Sequence, residues 1–155
     1  MISLPDIDLL SLQSSLKYSR DHKGQLQVLD LVRKKFIKTN PEEIVRQLWI
    51  TYFINIMKVN PKLISVERLF NINGMPRRFD LVIFGKSTHP ILLAEFKAPG
   101  IKIQQSVFDQ IAQYNMKLQV PYSLVSNGSE HYCFQIDDEV KGFIWQSELP
   151  ELIHS

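Results

Sequence analysis

An aspartate inside an apolar run constrains this chain more than any other feature. Residues 78–84 read Arg-Phe-Asp-Leu-Val-Ile-Phe, and one turn later residues 91–98 read Ile-Leu-Leu-Ala-Glu-Phe-Lys-Ala. Both runs have the length and apolar content of buried strands. A charge on such a strand is costly unless it is paired, neutralised or bound to a metal, and here two acids and a lysine stand on neighbouring strands. Side chains alternate along a strand, so Glu95 and Lys97 share one face while Ala94 and Phe96 take the other. If the strand of Asp80 pairs with this one as a hairpin, Asp80 and Glu95 approach each other, and hard divalent cations such as magnesium favour oxygen ligands of this kind. Lys97 then stands beside the ion, free to orient or activate a water.

The rest of the chain supplies a frame for these strands. Thr39-Asn40-Pro41-Glu42-Glu43 has the polar cap, N1 proline and acidic first turn of a helix, expected to run to about Lys58. Strand candidates follow from Leu63 to Ile72, with a hairpin at Asn73-Gly74 leading into the strand of Asp80. Ile103, Val107, Ile111, Tyr114 and Leu118 form one helical stripe after the loop Pro99-Gly100, and Gln110 falls inside it, which places a polar residue on the expected buried face. Tyr122 to Ser126 and Glu130 to Ile136 read as strands joined by Asn127-Gly128, and Phe143-Ile-Trp145 with Ile153 are expected to close the fold over an edge. Three meandering strands followed by a helical crossover predict an α/β fold: a mixed central β-sheet flanked by helices. Gln25 to Asp30 reads as a short strand. Residues 1–24, without clean periodicity, read as an N-terminal arm ahead of one domain spanning 25–155.

Composition narrows the function classes. A length of 155 residues and 45% hydrophobic content suit a single domain with a real core. No stretch approaches the roughly 18 apolar residues of a membrane span and no signal peptide is apparent, so the expected compartment is the cytoplasm. The lone Cys133 sits in an apparent strand and reads as a packed thiol. A net charge of +2 does not advertise a basic nucleic-acid surface. Contacts to DNA therefore fall to local groups, with Arg77, Arg78, Lys97 and Lys102 as candidates, whereas Lys86 and Lys117 read as solvated surface. His22, His89 and His154 lie in loops or at the terminus without zinc-ligand spacing, and no role is assigned to them.

Asp80 followed by Glu95-Phe96-Lys97, with Met75-Pro76 ahead, resembles the PD-(D/E)xK nuclease signature, and Gln110 with Tyr114 matches the Gln-x-x-x-Tyr element of one branch. That branch is the N-terminal nuclease domain of type I restriction enzyme R subunits. The resemblance extends from Gln25 to about Pro150, through residues 41–47, 73–80, 94–99, 108–115 and 125–133. It implies a restriction-endonuclease-like fold and hydrolysis of DNA phosphodiester bonds with Mg2+, or Mn2+, as cofactor. It further implies Asp80, Glu95 and the Phe96 carbonyl as metal ligands, Lys97 as the catalytic lysine, and Gln110 and Tyr114 as groups that orient Lys97 or touch the phosphate backbone. An acid on the first core helix often approaches the metal in this class. A helical wheel places Glu42 nearer the stripe of Trp49, Phe53 and Ile56, whereas the family pattern acid-x-x-Arg points to Glu43 with Arg46, and Glu43 is preferred. Arg77, Arg78 and Lys102 are the expected DNA contacts.

Two departures qualify the resemblance. The sequence has no Gly-x-x-x-x-Gly-Lys-Ser/Thr loop, so ATP-driven translocation does not carry over, and the chain looks like a small stand-alone version of the domain. Ile44 stands where the family often has an aromatic. Expected partners are DNA, a second copy of the chain, or separate motor and specificity subunits. Alternatives from other classes are a catalytically silent DNA- or protein-binding module on the same fold, and a scaffold subunit using Met1 to Tyr18.

Overall fold

The computed structural model describes residues 1–5 and 7–152; Ile153 and His154 lie outside the described residues. In chain order the elements are β1 (Tyr18–Arg20), β2 (Leu26–Asp30), β3 (Lys35–Lys38), α1 (Pro41–Thr51), β4 (Ile64–Ile72), β5 (Met75–Phe84), β6 (Pro90–Phe96), α2 (Gln105–Leu118), β7 (Tyr122–Ser126), β8 (His131–Asp137) and β9 (Gly142–Trp145). Asn73 and Gly74 both have positive φ, 53° and 77°. That is the left-handed pair a two-residue hairpin requires, and it fixes the β4–β5 register from Ile72↔Met75 onward.

β4 to β9 form one sheet in sequence order. Every neighbouring pair is antiparallel except β6–β7, which is parallel because α2 carries the chain back across the sheet. The expected mixed sheet is thus the fold observed. One face, with Leu81, Ile83, Leu92, Ala94, Phe96 and Leu124, packs on Val45, Leu48, Trp49 and Phe53. The other carries Val125 and Phe134 against Phe108 and Ile111 of α2, and Val82 and Leu93 against Tyr114 and Leu118. Cys133 is fully buried, and burial pushes its thiol up to about 12, the behaviour of a packing residue.

Several boundaries differ from the sequence expectation. Asn40 caps α1 by accepting the Glu43 N–H at 2.8 Å, but the α-helix ends at Thr51 and widens into a π-helical turn, Tyr52–Ile56. The left-handed Lys58, φ 60°, then stops it. α2 begins at Gln105 rather than Ile103, which is buried in the preceding loop. Residues 1–24 hold more structure than a periodicity reading finds: Leu4 and Leu9 are buried, the Leu4 N–H donates to the His131 carbonyl at 2.7 Å, and β1 edges a three-stranded antiparallel sheet with β2 and β3. Two leucines and main-chain bonds leave no helical or alternating pattern to read.

Candidate active site

An irregularity shared by β4 and β5 builds the site. Their ladder pairs Ile64↔Ile83 through Ile72↔Met75 but skips Glu67 opposite Asp80, and Glu67 has φ 52°, a left-handed backbone rare in a strand. Alternation fails at the same point: Phe79 and Val82 pack on the α2 face, whereas Leu81 and Ile83 pack on the α1 face. The β5–β6 ladder stops at Leu81↔Ala94. With the strands no longer bonded to each other, the Asp80 carboxylate turns into the gap, and Oδ2 accepts the Phe96 N–H at 2.7 Å.

Beyond that gap, Glu95 and Lys97 project from the end of β6 onto the α2 side, as their spacing predicts. They line a cleft of about 260 Å³ together with Pro76, Arg77, Arg78, Val107, Gln110, Ile111 and Tyr114. Glu95 is pushed up to about 9, first by burial, then by the charge of Asp80 and a hydrogen bond to its carboxyl, and Lys97 offsets this only in part. Burial and the Asp80 charge therefore favour the protonated form of Glu95 at the gap between the two strands. The Gln110 amide donates to the Tyr114 hydroxyl at 2.8 Å. The Tyr114 ring is held edge-on to Phe79 and faced by the Arg77 guanidinium at 5.3 Å.

Gln110 itself is exposed, contrary to the expectation of a buried face. The buried residues of α2 are Phe108, Ile111 and Asn115, so the helix is rotated relative to the predicted stripe, and Gln110 and Tyr114 flank its buried face on the cleft side. Arg78 and Lys102 are exposed and Arg77 half-buried; Lys102 does not line the cleft.

The two glutamates of the first α1 turn separate clearly. Burial and the nearby Asp80 charge push the Glu42 carboxyl up, against the pull of Lys97 and Arg46, so Glu42 belongs to the electrostatic neighbourhood of Asp80 and Lys97. Glu43, the residue preferred from sequence, is taken up elsewhere. It accepts from Gln47 Nε2 at 2.9 Å and pairs with Arg33 at 3.3 Å and Arg46 at 3.4 Å. α1 packs closely on the turn between β7 and β8 at Gly128, φ 91°, where an added Cβ would meet Val45 at 3.2 Å and the Pro99 ring at 4.0 Å.

Sequence reasoning passed over a network behind the cleft. Fully buried Asp30 accepts from the Val32 and Arg33 N–H groups, from Arg33 Nε at 2.7 Å and from Gln47 Nε2 at 3.0 Å. Arg33 reaches Glu43 and Glu67, and Arg46 contacts Glu43, Glu67 and Asp80. Asp30-Leu31-Val32 repeats the pattern of Asp80-Leu81-Val82, an acid in an apolar run, and that signal was available in the sequence.

Among the described residues no three His, Cys, Asp or Glu side chains converge as a ready-made metal cage. Asp80 and Glu95 nevertheless suit Mg2+, which is commonly held by one or two carboxylates and keeps waters in its remaining positions. A carboxyl whose charge is disfavoured by burial and by a neighbouring acid is one that a divalent cation relieves.

Residues 41–150 match the family model described as type I restriction enzyme R protein N terminus. The chain belongs to this family. The match begins at the first residue of α1, so β1–β3, with Asp30 and Arg33, lie ahead of it. A solved structure, a fragment described as an HsdR subunit of a type I restriction enzyme from Vibrio vulnificus YJ016, is 20% identical with a TM-score of 0.49, covering 74% of this chain. The alignment spans 24% of that structure's chain. No curated protein matches significantly. No helix among the described residues is long and apolar enough to cross a membrane.

Proposed function

We propose that this restriction-enzyme R-type domain is a metal-dependent nuclease that hydrolyses DNA phosphodiester bonds. The observation that carries the reading is the meeting of Glu95, hydrogen-bonded to Asp80, with Lys97 at one cleft. Asp80, Glu95 and the Phe96 carbonyl, past the last β5–β6 pair, would hold Mg2+ or Mn2+, with Glu42, whose carboxyl feels the Asp80 charge, as the helix acid beside them rather than Glu43. When bound, the metal supplies charge neutralisation at the phosphate and lowers the pKa of a water. Lys97 positions that water or offsets charge developing on phosphorus. The Gln110–Tyr114 pair lines the cleft wall and orients the lysine or the phosphate backbone. Arg77, Arg78 and, from outside the cleft, Lys102 contact backbone phosphates, which fixes position without reading sequence. On this reading the protein works in the cytoplasm on DNA, as a homodimer or with separate motor and specificity subunits, and residues 1–24 are an arm packed on a domain of 25–155.

The test is cleavage of supercoiled plasmid and of a short single-stranded oligonucleotide with Mg2+ or Mn2+. Wild type is expected to nick, and Asp80→Ala and Lys97→Ala to lose cleavage while keeping their circular dichroism. Undiminished cleavage in either variant overturns the assignment.

A further inference from the structure

Arg46 is an odd residue to find where it is. It belongs to α1, its side chain is 6% exposed, and its guanidinium lies among three carboxylates: Glu43 at 3.4 Å, Glu67 at 3.6 Å and Asp80 at 3.5 Å. A buried arginine usually forms short, forked hydrogen bonds of about 2.7–2.9 Å to its carboxylates. Arg33, next to it in the same network, does so with Asp30 at 2.7 Å. Arg46 does not: its Nε and Nη1 make no hydrogen bond, and its single bond to Asp80, from Nη2 to Oδ1, is 3.5 Å long. The side chain is thus held by the field of three acids rather than by directional bonds.

The partner oxygen matters. Asp80 Oδ2 accepts the Phe96 N–H at 2.7 Å, whereas the contact of Oδ1 with Arg46 is 3.5 Å long, beside the hydrogen bond that the carboxyl makes with Glu95. Oδ1 is therefore the oxygen less firmly held by an N–H donor, on the carboxylate that the proposed function gives to the metal. Glu43 and Glu67 contact Nη1 rather than the Nη2 that meets Asp80, so they could keep the charge paired once Asp80 is withdrawn.

We propose that Arg46 is a built-in counter-cation competing with the divalent metal for Asp80 Oδ1, and that metal loading moves its guanidinium back onto Glu43 and Glu67. The inference rests on the metal reading of Asp80 given above. Arg46 is then a positioning residue: it keeps the acid cluster together before the metal arrives and weakens metal affinity while doing so. β1–β3 take part through Arg33, which also pairs with Glu43 and Glu67 and so limits how much of Arg46 those acids can claim.

The experiment is calorimetric titration of Mg2+ and Mn2+ into the protein without DNA, comparing wild type with Arg46→Met, which keeps apolar bulk and removes the charge. Removal of a unit cation close to the site is expected to tighten metal binding by about tenfold or more. A merely structural arginine predicts the reverse, because a disordered site binds metal less well. Equal or weaker affinity in a folded Arg46→Met, with wild type binding metal, overturns this inference and leaves the nuclease reading standing. Absence of binding in both proteins removes both. If Arg46→Met does not fold, the Arg46 Nε–Hε resonance of wild type is followed during the titration: a shift saturating with the metal supports the competition, and an unmoved resonance refutes it.

Discussion

Replacing Glu95 by glutamine is expected to remove a pH-dependent weakness from the fold. Glu95 is raised from an ordinary 4.5 to about 9, with burial the largest cause and Asp80 the next. The folded protein therefore holds a proton that the unfolded chain releases between those values. Unfolding free energy then falls with rising pH, so the stability from this group is complete below about 4.5 and is lost as pH rises through about 9. The displacement sets an upper limit of about 6 kcal/mol at 1.36 kcal/mol per pH unit. Glu95 keeps part of its surface in water, and Lys97 stands close enough to respond, which lowers the expected loss to about 2 kcal/mol. For a chain of this size that is a fall of about 4–8 °C in Tm. Thermal unfolding in a chelator between pH 5 and 9 reads it directly. Wild type should lose stability across that range, Glu95→Gln should be flatter and the more stable of the two at pH 9, and Mg2+ should restore wild type there. A slope in Glu95→Gln equal to that of wild type would refute the account of Glu95 as an acid kept protonated by burial and Asp80.

Two further outcomes follow from groups outside the cleft. Asp30→Ala strips four hydrogen bonds from a fully buried site and takes the shortest ion pair from Arg33, so a loss of about 3–5 kcal/mol is expected by chemical denaturation; a loss below 1 kcal/mol would show that the network is not structural. His131 is buried between the Ser126 hydroxyl at 2.7 Å and the Ile7 carbonyl at 3.3 Å, and burial lowers its pKa from 6.5. Its contribution is present above pH 6.5 and lost as pH falls below it, so the stability margin of wild type over His131→Gln should shrink from pH 7 to pH 5 in urea titrations, and an unchanged margin would count against it.

Much of the sheet is legible in local patterns. Asn73-Gly74 encodes its hairpin through backbone conformation, and the alternation at Glu95 and Lys97 puts both on the cleft face because a strand repeats every two residues. The Asn40-Pro41 cap gives the start of α1. These signals live within one element. Gln110 was misplaced because an apolar stripe gives a helix's face only to within the width of the stripe, and Phe108 and Asn115 decided the rotation once the sheet was in place.

The sequence by itself determined that this chain folds as a mixed sheet with two acids and a lysine on adjoining strands, because strand period, turn chemistry and the cost of burying charge are local rules. Tertiary structure decided which acids meet. The kink at Glu67 and Asp80, the choice of Glu42 over Glu43 as neighbour of Asp80, and the convergence of Arg33 and Arg46 on Glu43 and Glu67 depend on how α1, β4 and the β2–β3 turn sit against one another. Arg33 and Arg46 reach the same two acids, and Arg46 also reaches Asp80, only because elements distant in sequence pack at one corner. Periodicity says which way a side chain leaves its own backbone; the charge it finds there is set by packing between elements, and at this site that packing decides which carboxylates are left for a metal.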